Sequence, residues 1–392
     1  MNKKALVVLL LFLSMSSQWI NPQSKTKALP VIDISKKYPK KEILLQDVAD
    51  VEHIRLETTD DVLLCYNSGN DISVLASVSD KYICTYEWRR GNIFVFDRNG
   101  KIAYHFNHKG GSGREYPLIG PAGVIVDAKS EEIFVCAIKN IQVYSMSGAY
   151  KRTLNFESIR YSEIYNFDDE TLLIYDDINV QADDVKPEKN PYRLISKKDG
   201  STVAVLDINL PKRYSTSIYE NEWIHKLFFK NEKYHGRDIV IADISSDTIY
   251  MLTQNRELTP LLVRKPSVHA SEPRQVWSVF LITDKFIMVG INTLTFSKFE
   301  NREIPSKVLT YEFETGEISD MTIRNTAEYV KGVGWGVQRA PVNIEKNMTA
   351  CLQSVPHLKE NASKKMLRGE FEKFVAKLDE EDNPIVTVIK FK

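Results

Sequence analysis

The chain has 392 residues, of which 43% are hydrophobic and 27% charged, a composition that supplies a large core and suits a soluble protein. Lys plus Arg and Asp plus Glu both number 52, so the formal net charge is zero. No run of Lys and Arg stands out, which argues against nucleic acid as a partner.

The first residues are typical of an export signal. A lysine pair precedes the apolar run Ala5–Leu13, and small serines follow it. This run is too short for a membrane-spanning helix, which needs about 20 residues; the alternative is a core strand or helix. We expect a signal peptide over residues 1–20, a flexible tether over 21–45 and no membrane span. No Cys precedes Cys65, so we expect an exported protein, periplasmic or extracellular, that is not a lipoprotein.

One sequence unit then occurs five times: a short apolar strand, a turn usually closed by Gly, and a second strand. The turn positions are Gly100, Gly148, Gly200, Arg256 and Gly316. Their spacing of 48 to 60 residues fits about four strands per unit, which is the size of a propeller blade.

Strands taken in chain order fill five blades and leave a sixth incomplete. Blades one to five are predicted over residues 72–106, 123–154, 161–207, 223–263 (beginning with Trp223–Phe229) and 275–323, and blade six has the strands Pro341–Ile344, Thr349–Gln353 and Ile385–Phe391. The alternating strand Val51–Glu57 is the missing fourth, because pairing it with the C-terminal strand removes the exposed edges. We predict an all-β fold, a six-bladed β-propeller over residues 46–392 closed by an N-terminal strand. Deleting residues 1–58 should destroy folding, and deleting 1–40 should be tolerated.

Blade six also contains a predicted helical insertion over residues 358–380, between its second and third strands. Its apolar positions recur near the helical period of 3.6 residues: Met366, Leu367, Phe371, Phe374, Val375 and Leu378.

Four segments carry a resemblance to a known family. They are Val51–Thr59, Ile93–Gly100, the loop Lys109–Tyr116 and Asn383–Phe391. They resemble exported six-bladed propellers of Bacteroides-type bacteria over about residues 45–392. The loop is similar to that family's G-x-G-x-G-E-Y pattern, with Arg114 where Gly is frequent. The resemblance implies a TolB-like or NHL-like propeller and no assigned activity.

Aromatic and arginine residues in loops at one end of the ring are the binding candidates. They are Trp88, Arg89, Arg114, Glu115, Tyr116, Trp335 and Arg339. Such residues provide large contact area and forked hydrogen-bond donors, although packing of loop rims and turns is the alternative. We expect a shallow pocket with Trp335, Arg339, Arg114 and Tyr116 on its rim and the predicted helix as its wall.

Signatures of catalysis and metal binding are missing. The sequence has no G-x-S-x-G, H-E-x-x-H or C-x-x-C motif. Two alternatives stay open for the four cysteines: a disulfide between Cys65 and Cys84, or four buried thiols. The acidic residues between Asp168 and Asp184 lack a calcium-loop pattern, so we expect a solvated insertion there.

The sequence favours an exported, monomeric propeller that binds a peptide, protein or glycan, with no catalytic residue, cofactor or metal. The alternative is a metal-assisted hydrolase or lyase with a divalent cation such as Ca²⁺ in the propeller channel. Three or more converging oxygen or nitrogen ligands would favour the enzyme, and an aromatic-lined mouth with few carboxylates would favour binding.

Overall fold

Antiparallel sheets built from consecutive segments of the chain make up most of the protein. The computed structural model describes residues 28–65, 72–137, 139–155, 161–176, 190–208, 210, 212–214, 217–220, 223–227, 232–295, 304–330, 333–334 and 347–392. Within these ranges there are three short helices, and none is long and apolar enough to cross a membrane.

The N-terminal segment contributes three strands to sheets that are otherwise formed by later parts of the chain. They are β1 (Val31–Asp33), β2 (Lys40–Leu44) and, after the one-turn helix α1 (Leu45–Val48), β3 (Ala49–Arg55).

Blades one to three are four-stranded antiparallel sheets whose strands pair in chain order, and they confirm the prediction for this part of the chain. Blade one has β4 (Ser73–Val78), β5 (Tyr82–Glu87), β6 (Ile93–Asp97) and β7 (Ile102–Phe106). Blade two has β8 (Val124–Asp127), β9 (Glu132–Cys136), β10 (Asn140–Ser145) and β11 (Tyr150–Asn155). Blade three has β12 (Tyr161–Asn166), β13 (Thr171–Asp176), β14 (Tyr192–Ser196) and β15 (Thr202–Val205).

Blade four begins later than predicted. A separate hairpin, β16 (Ser217–Glu220) and β17 (Trp223–Lys226), occupies the segment predicted as its first strand. The blade consists of β18 (Glu232–His235), β19 (Asp238–Ile241), β20 (Thr248–Leu252) and β21 (Leu258–Lys265). The prediction of Trp223–Phe229 is therefore wrong, because the two-residue turn after His235, with Gly236 at φ +66°, pairs β18 directly with β19.

Blade five follows the prediction, and blade six contains the closure. Blade five has β22 (Gln275–Ile282), β23 (Phe286–Thr293), β24 (Ser306–Glu312) and β25 (Ile318–Asn325), and the short β26 (Val333–Gly334) pairs with β25. Blade six has β27 (Met348–Gln353) and β28 (Ile385–Phe391), separated by α2 (Val355–Ser363) and α3 (Gly369–Ala376). Strand β3 pairs with β28 from Ala49↔Phe391 to Arg55↔Ile385, so the predicted closing strand is confirmed. The strand predicted at Pro341–Ile344 lies outside the described residues.

Residues 31–44 are not a flexible tether, which corrects the prediction for residues 21–45. Strand β1 adds in parallel to β21 of blade four, and β2 adds in parallel to β25 of blade five. Ile32 and Ile34 are 0% and 1% exposed and pack into the core between these blades. The segment covers two outer sheet edges, which would otherwise be open to pairing with another chain.

Apolar clusters lie between every pair of neighbouring blades and close the ring. Leu75 of blade one meets Val386 of blade six in one cluster, and Val95 of blade one meets Val135 of blade two in the next. Further clusters join blades two and three, three and four, four and five, and five and six. The core is therefore a ring of six inter-blade layers.

The insertion in blade six is a pair of short helices, where one helix over residues 358–380 was predicted. Lys365 at φ +54° and Gly369 at φ +68° break the helical path. Between them, the N–H of Arg368 donates to Glu328 O and Met366 O accepts from the N–H of Val330. These bonds to the loop entering blade six replace helical ones, a tertiary preference that the apolar period does not encode.

Loops of two kinds share one end of the ring because each blade is an antiparallel meander. The connection from a second to a third strand and the connection from one blade to the next both emerge there. We call this the upper end.

Candidate functional site

Two loops of blade one form a continuous surface at the upper end. The first, residues 88–92, joins β5 to β6, and the second, residues 107–123, leads to blade two. Lys109 Nζ donates to Arg89 O at 2.6 Å, and Asn107 Nδ2 donates to Arg90 O at 3.0 Å. These bonds join the loop that carries Trp88 and Arg89 to the loop that carries Arg114, Glu115 and Tyr116.

Tyr116 is part of the core under this surface. Its side chain is 0% exposed, its hydroxyl donates to Gly91 O at 2.7 Å, and the same oxygen accepts from the N–H of His108. Burial raises the pKa of Tyr116 to about 12. The prediction that Tyr116 stands on a pocket rim is wrong, because its hydroxyl ties the two loops together from below.

Glu115 organises the glycine-rich turn in which it lies. Its carboxylate accepts from the N–H of Ser112 at 2.8 Å, and hydrogen bonds from Ser112 hold its pKa below the usual range. A Cβ at Gly110 would overlap the Glu115 carboxylate as it is placed in this turn. The contacts of Glu115 in this structure are those of a turn residue.

The exposed part of the surface combines one indole with several cations. Trp88 is 43% exposed, and the guanidinium of Arg89 lies 5.7 Å from the centre of its ring. Arg114 is exposed, with its guanidinium 5.5 Å from the centre of the Tyr150 ring. The two loops also carry exposed Arg90 and Lys109. We call Trp88, Arg89, Arg90, Lys109 and Arg114 the basic–aromatic patch.

Exposed apolar side chains adjoin this patch on the innermost strand of blade one. Ser73 pairs with Glu87 and Val74 with Tyr86, so Ile72 and Trp88 follow at the same end of the pair β4–β5. Ile72 and Val74 are 52% and 37% exposed. The Trp88 end of the patch therefore lies beside the first strand of blade one, whereas Arg114 lies against Tyr150 on β11 of blade two.

Trp335 and Arg339, the remaining candidates, lie outside the described residues. Their place relative to the helical insertion stays a prediction, and so does the rest of the proposed pocket.

A second polar cluster at the upper end escaped the sequence analysis. Glu163 on β12 and Glu232 on β18 belong to the first strands of blades three and four, and the Tyr165 hydroxyl donates to Glu163. Glu232 is 1% exposed, and neither of its oxygens receives a hydrogen bond, since the single phenol proton of Tyr165 goes to Glu163. Burial, and then the charge of Glu163, raises the pKa of Glu232 well above its usual range.

Asp243 is a further carboxylate of this acid cluster, in which Glu232 and Asp243 are buried and Glu163 is partly buried. It is 1% exposed, accepts from the Ser245 N–H at 2.7 Å and from the Tyr192 hydroxyl at 3.2 Å, and burial raises its pKa. Single carboxylates in different blades give no local sequence signal, so no motif could have identified the group.

The described part of the acidic stretch of blade three, Asp168 to Asp176, is not simply solvated, and Asp177, Asp183 and Asp184 lie outside the described residues. Asp168 pairs with Arg256 at 2.8 Å, Asp169 pairs with Lys129, and Asp176 is 4% exposed at the end of β13. In the ranges that the structure describes, no three His, Cys, Asp or Glu side chains converge in a way that could hold a metal ion. The ligand set that would favour the metal-dependent enzyme is not found in that part of the chain.

The four cysteines are thiols, so Cys65 and Cys84 do not form a disulfide. Cys84 and Cys136 are fully buried between blades, and burial raises the pKa of the Cys84 thiol to about 12. Neither buried thiol is in a state suited to nucleophilic chemistry.

A solved structure shows the same fold at low sequence identity. A protein of Bacteroides fragilis NCTC 9343 that is inferred to be exported is 15% identical, with a TM-score of 0.61 over 92% of this chain and 99% of that one. A member of the DUF4221 family from Bacteroides vulgatus ATCC 8482 is 12% identical, with a TM-score of 0.49 over 88% of this chain and 99% of its own. No curated protein matches the chain in sequence.

A family profile gives a more direct assignment. The profile described as a domain of unknown function, DUF4934, matches residues 29–268, from just before β1 to just after blade four. This range is more than half of the chain, and it includes the whole basic–aromatic patch. The chain belongs to the DUF4934 family.

Proposed function

We propose that this protein is an exported ligand-binding propeller whose ligand docks on the basic–aromatic patch at the upper end of blade one. The observation that carries the proposal is the exposed indole of Trp88 beside a cluster of cations on two loops that are hydrogen-bonded to each other. A large aromatic surface on a fixed backbone loses little conformational entropy on binding.

The loops are held before any ligand arrives. The Tyr116 hydroxyl bridges Gly91 and His108 from below, and Lys109 reaches across to Arg89. A surface fixed in this way needs no ordering step, which supports binding rather than a purely structural role for the exposed side chains.

Export is supported by the N-terminal sequence and by the fold relatives. The apolar run Ala5–Leu13 after a lysine pair has the form of a signal peptide. The Bacteroides fragilis protein with the same fold is itself inferred to be exported.

A binding array tests the proposal. Labelled wild-type protein is applied to immobilised glycans, peptides and proteins, and the affinity for each ligand found is compared with that of Trp88→Ala. We expect at least a ~30-fold loss, because truncating a central aromatic contact typically costs about 2 kcal/mol or more.

Tyr104→Ala is the matched control, since Tyr104 is also an exposed aromatic of blade one, 39% exposed, but lies on the outer strand β7. It should leave the affinity unchanged. Equal affinities of wild type and Trp88→Ala for every ligand would show that the patch is not the binding surface.

A further inference from the structure

The charge of the basic–aromatic patch is strongly one-sided in a chain that is neutral overall. The loop residues 88–92 and 107–116 contain Arg89, Arg90, Lys109 and Arg114, and Glu115 is their single acidic residue. The Glu115 carboxylate is occupied by the N–H of Ser112 within its own turn. A ligand at this surface therefore meets an excess of positive charge next to an indole.

Backbone groups of the two loops are largely used by the loops themselves. Three consecutive carbonyls, those of Arg89, Arg90 and Gly91, accept from Lys109, Asn107 and Tyr116. The N–H groups of Gly110 and Tyr116 donate to Tyr116 O and His108 O. Peptides are commonly recognised through strand addition to free backbone groups or through an apolar groove, and these loops are poorly suited to the first mode.

Side chains must then supply recognition. The flat face of an indole packs well against the C–H face of a sugar ring, and guanidinium groups form paired hydrogen bonds with carboxylate or sulfate oxygens. Several cations on neighbouring loops suit a ligand that repeats its negative charge along a chain.

We infer that the ligand of the basic–aromatic patch is a linear anionic glycan, bearing carboxylate or sulfate groups, with a sugar ring on Trp88 and acidic groups on Arg89 and Arg114. This inference rests on the proposed function and specifies its ligand class. Its affinity should fall as salt is raised, because the patch is exposed and its charges are screened.

Isothermal titration calorimetry with three anionic polymers and neutral dextran tests the ligand class. Polygalacturonate presents carboxylates on a sugar chain, heparin presents sulfates, and poly-L-glutamate presents carboxylates on a peptide chain. We expect binding to at least one anionic glycan, at least tenfold weaker binding to poly-L-glutamate, and none to neutral dextran. The glycan that binds more tightly shows whether the patch prefers carboxylate or sulfate groups.

Trp88→Ala should weaken glycan binding at least ~30-fold, as for any ligand of the patch. Arg114→Glu should weaken it at least about tenfold, because a cation that can bind an acidic group is replaced by a carboxylate that repels it. Arg237→Glu is the matched control, because Arg237 is also exposed but lies in the β18–β19 turn at the opposite end of the ring. It should bind like wild type, and loss of binding in all three variants would overturn the site.

The remaining outcomes separate this inference from the proposed function. Poly-L-glutamate binding as tightly as the glycans, with the same dependence on Trp88, overturns the glycan class and leaves the patch as the binding surface. If neither anionic glycan binds while another ligand from the array still depends on Trp88, the glycan class is likewise overturned. The patch then remains the binding surface. Absence of any Trp88-dependent ligand overturns both.

Discussion

The imidazole of His53 stacks on the phenyl ring of Phe371, with ring centres 4.2 Å apart. This contact joins the closing strand β3 to the helical insertion of blade six. His53 Nε2 also lies 2.8 Å from Glu328 Oε1, and Nδ1 lies 2.9 Å from Thr387 Oγ1. One side chain therefore connects the closure, the insertion and the loop that enters blade six.

We expect His53→Ala to lower the free energy of unfolding by about 2–4 kcal/mol, because it removes an aromatic contact and leaves the buried Glu328 with one hydrogen bond fewer. Chemical denaturation followed by tryptophan fluorescence measures the change. Glu52→Ala on the same strand is the control, since Glu52 makes only an exposed ion pair with Arg98 in the described contacts. It should change stability by less than about 0.5 kcal/mol, and an equal loss in both variants would contradict the role given to His53.

The N-terminal strand on blade four should contribute to stability. Ile32→Ala empties a fully buried site between blades four and five, so we expect a loss of about 2–4 kcal/mol in unfolding free energy. Val31→Ala alters the adjacent side chain, which is 53% exposed, and should change stability by less than about 0.5 kcal/mol. Similar values for both variants would mean that the segment is a tether after all.

Deletions from the N-terminus test the same contacts. Removing residues 1–40 takes away Ile32 and Ile34, so a lower melting temperature than that of the full chain is expected, and this revises the tolerance predicted from sequence. Removing residues 1–58 also deletes β3 and should prevent cooperative folding, as measured by differential scanning calorimetry.

Stability should depend on pH through Glu232. Its pKa in the folded state is raised above 4.5, so the folded state holds this proton more tightly than the unfolded state does. The stabilisation of the folded state by this tighter proton binding is fully present below pH 4.5. It is lost as the pH rises through the folded-state pKa of Glu232. Glutamine stays uncharged at every pH in this range, so Glu232→Gln should melt higher than wild type at pH 8. The difference in melting temperature should shrink towards pH 4.

Melting curves across this pH range measure the effect. Glu370→Gln is the control, because Glu370 is an exposed residue of α3 whose pKa is lowered by the Lys373 ammonium. Its melting temperatures should follow those of wild type. If Glu232→Gln melts at or below the wild-type temperature at pH 8, the burial argument for Glu232 fails.

Gly100 should be required for closure. It adopts φ +82°, and a Cβ at this position would overlap Arg55 O on β3. We expect Gly100→Ala to cost more than about 2 kcal/mol in unfolding free energy, from the left-handed conformation and the displaced strand. Gly111→Ala is the control, since a Cβ there meets no atom within 4 Å, and it should be nearly neutral by the same denaturation assay.

Local pattern was sufficient for the repeated unit, although it placed the first strand of blade four too early. Alternating strands such as Ile93–Asp97, followed by the turn glycine Gly100, identify the repeated unit because strand faces and turn conformation depend on near neighbours in the chain. Even Arg256, which replaces the glycine in blade four, adopts the left-handed conformation at φ +63°. The six-bladed ring and its closing strand followed from counting these units.

Contacts between segments that are distant in sequence determined the features that local pattern did not predict. The three residues of β1 are too short for a periodic signal, and only their pairing with β21 makes them a strand. Tyr116 is adjacent to Glu115 in a loop, yet packing under Gly91 buries it. Glu163 and Glu232 form a cluster only because blades three and four adjoin. Burial and pKa depend on the atoms that surround a side chain in space, and in a propeller those atoms come largely from neighbouring strands and the next blade.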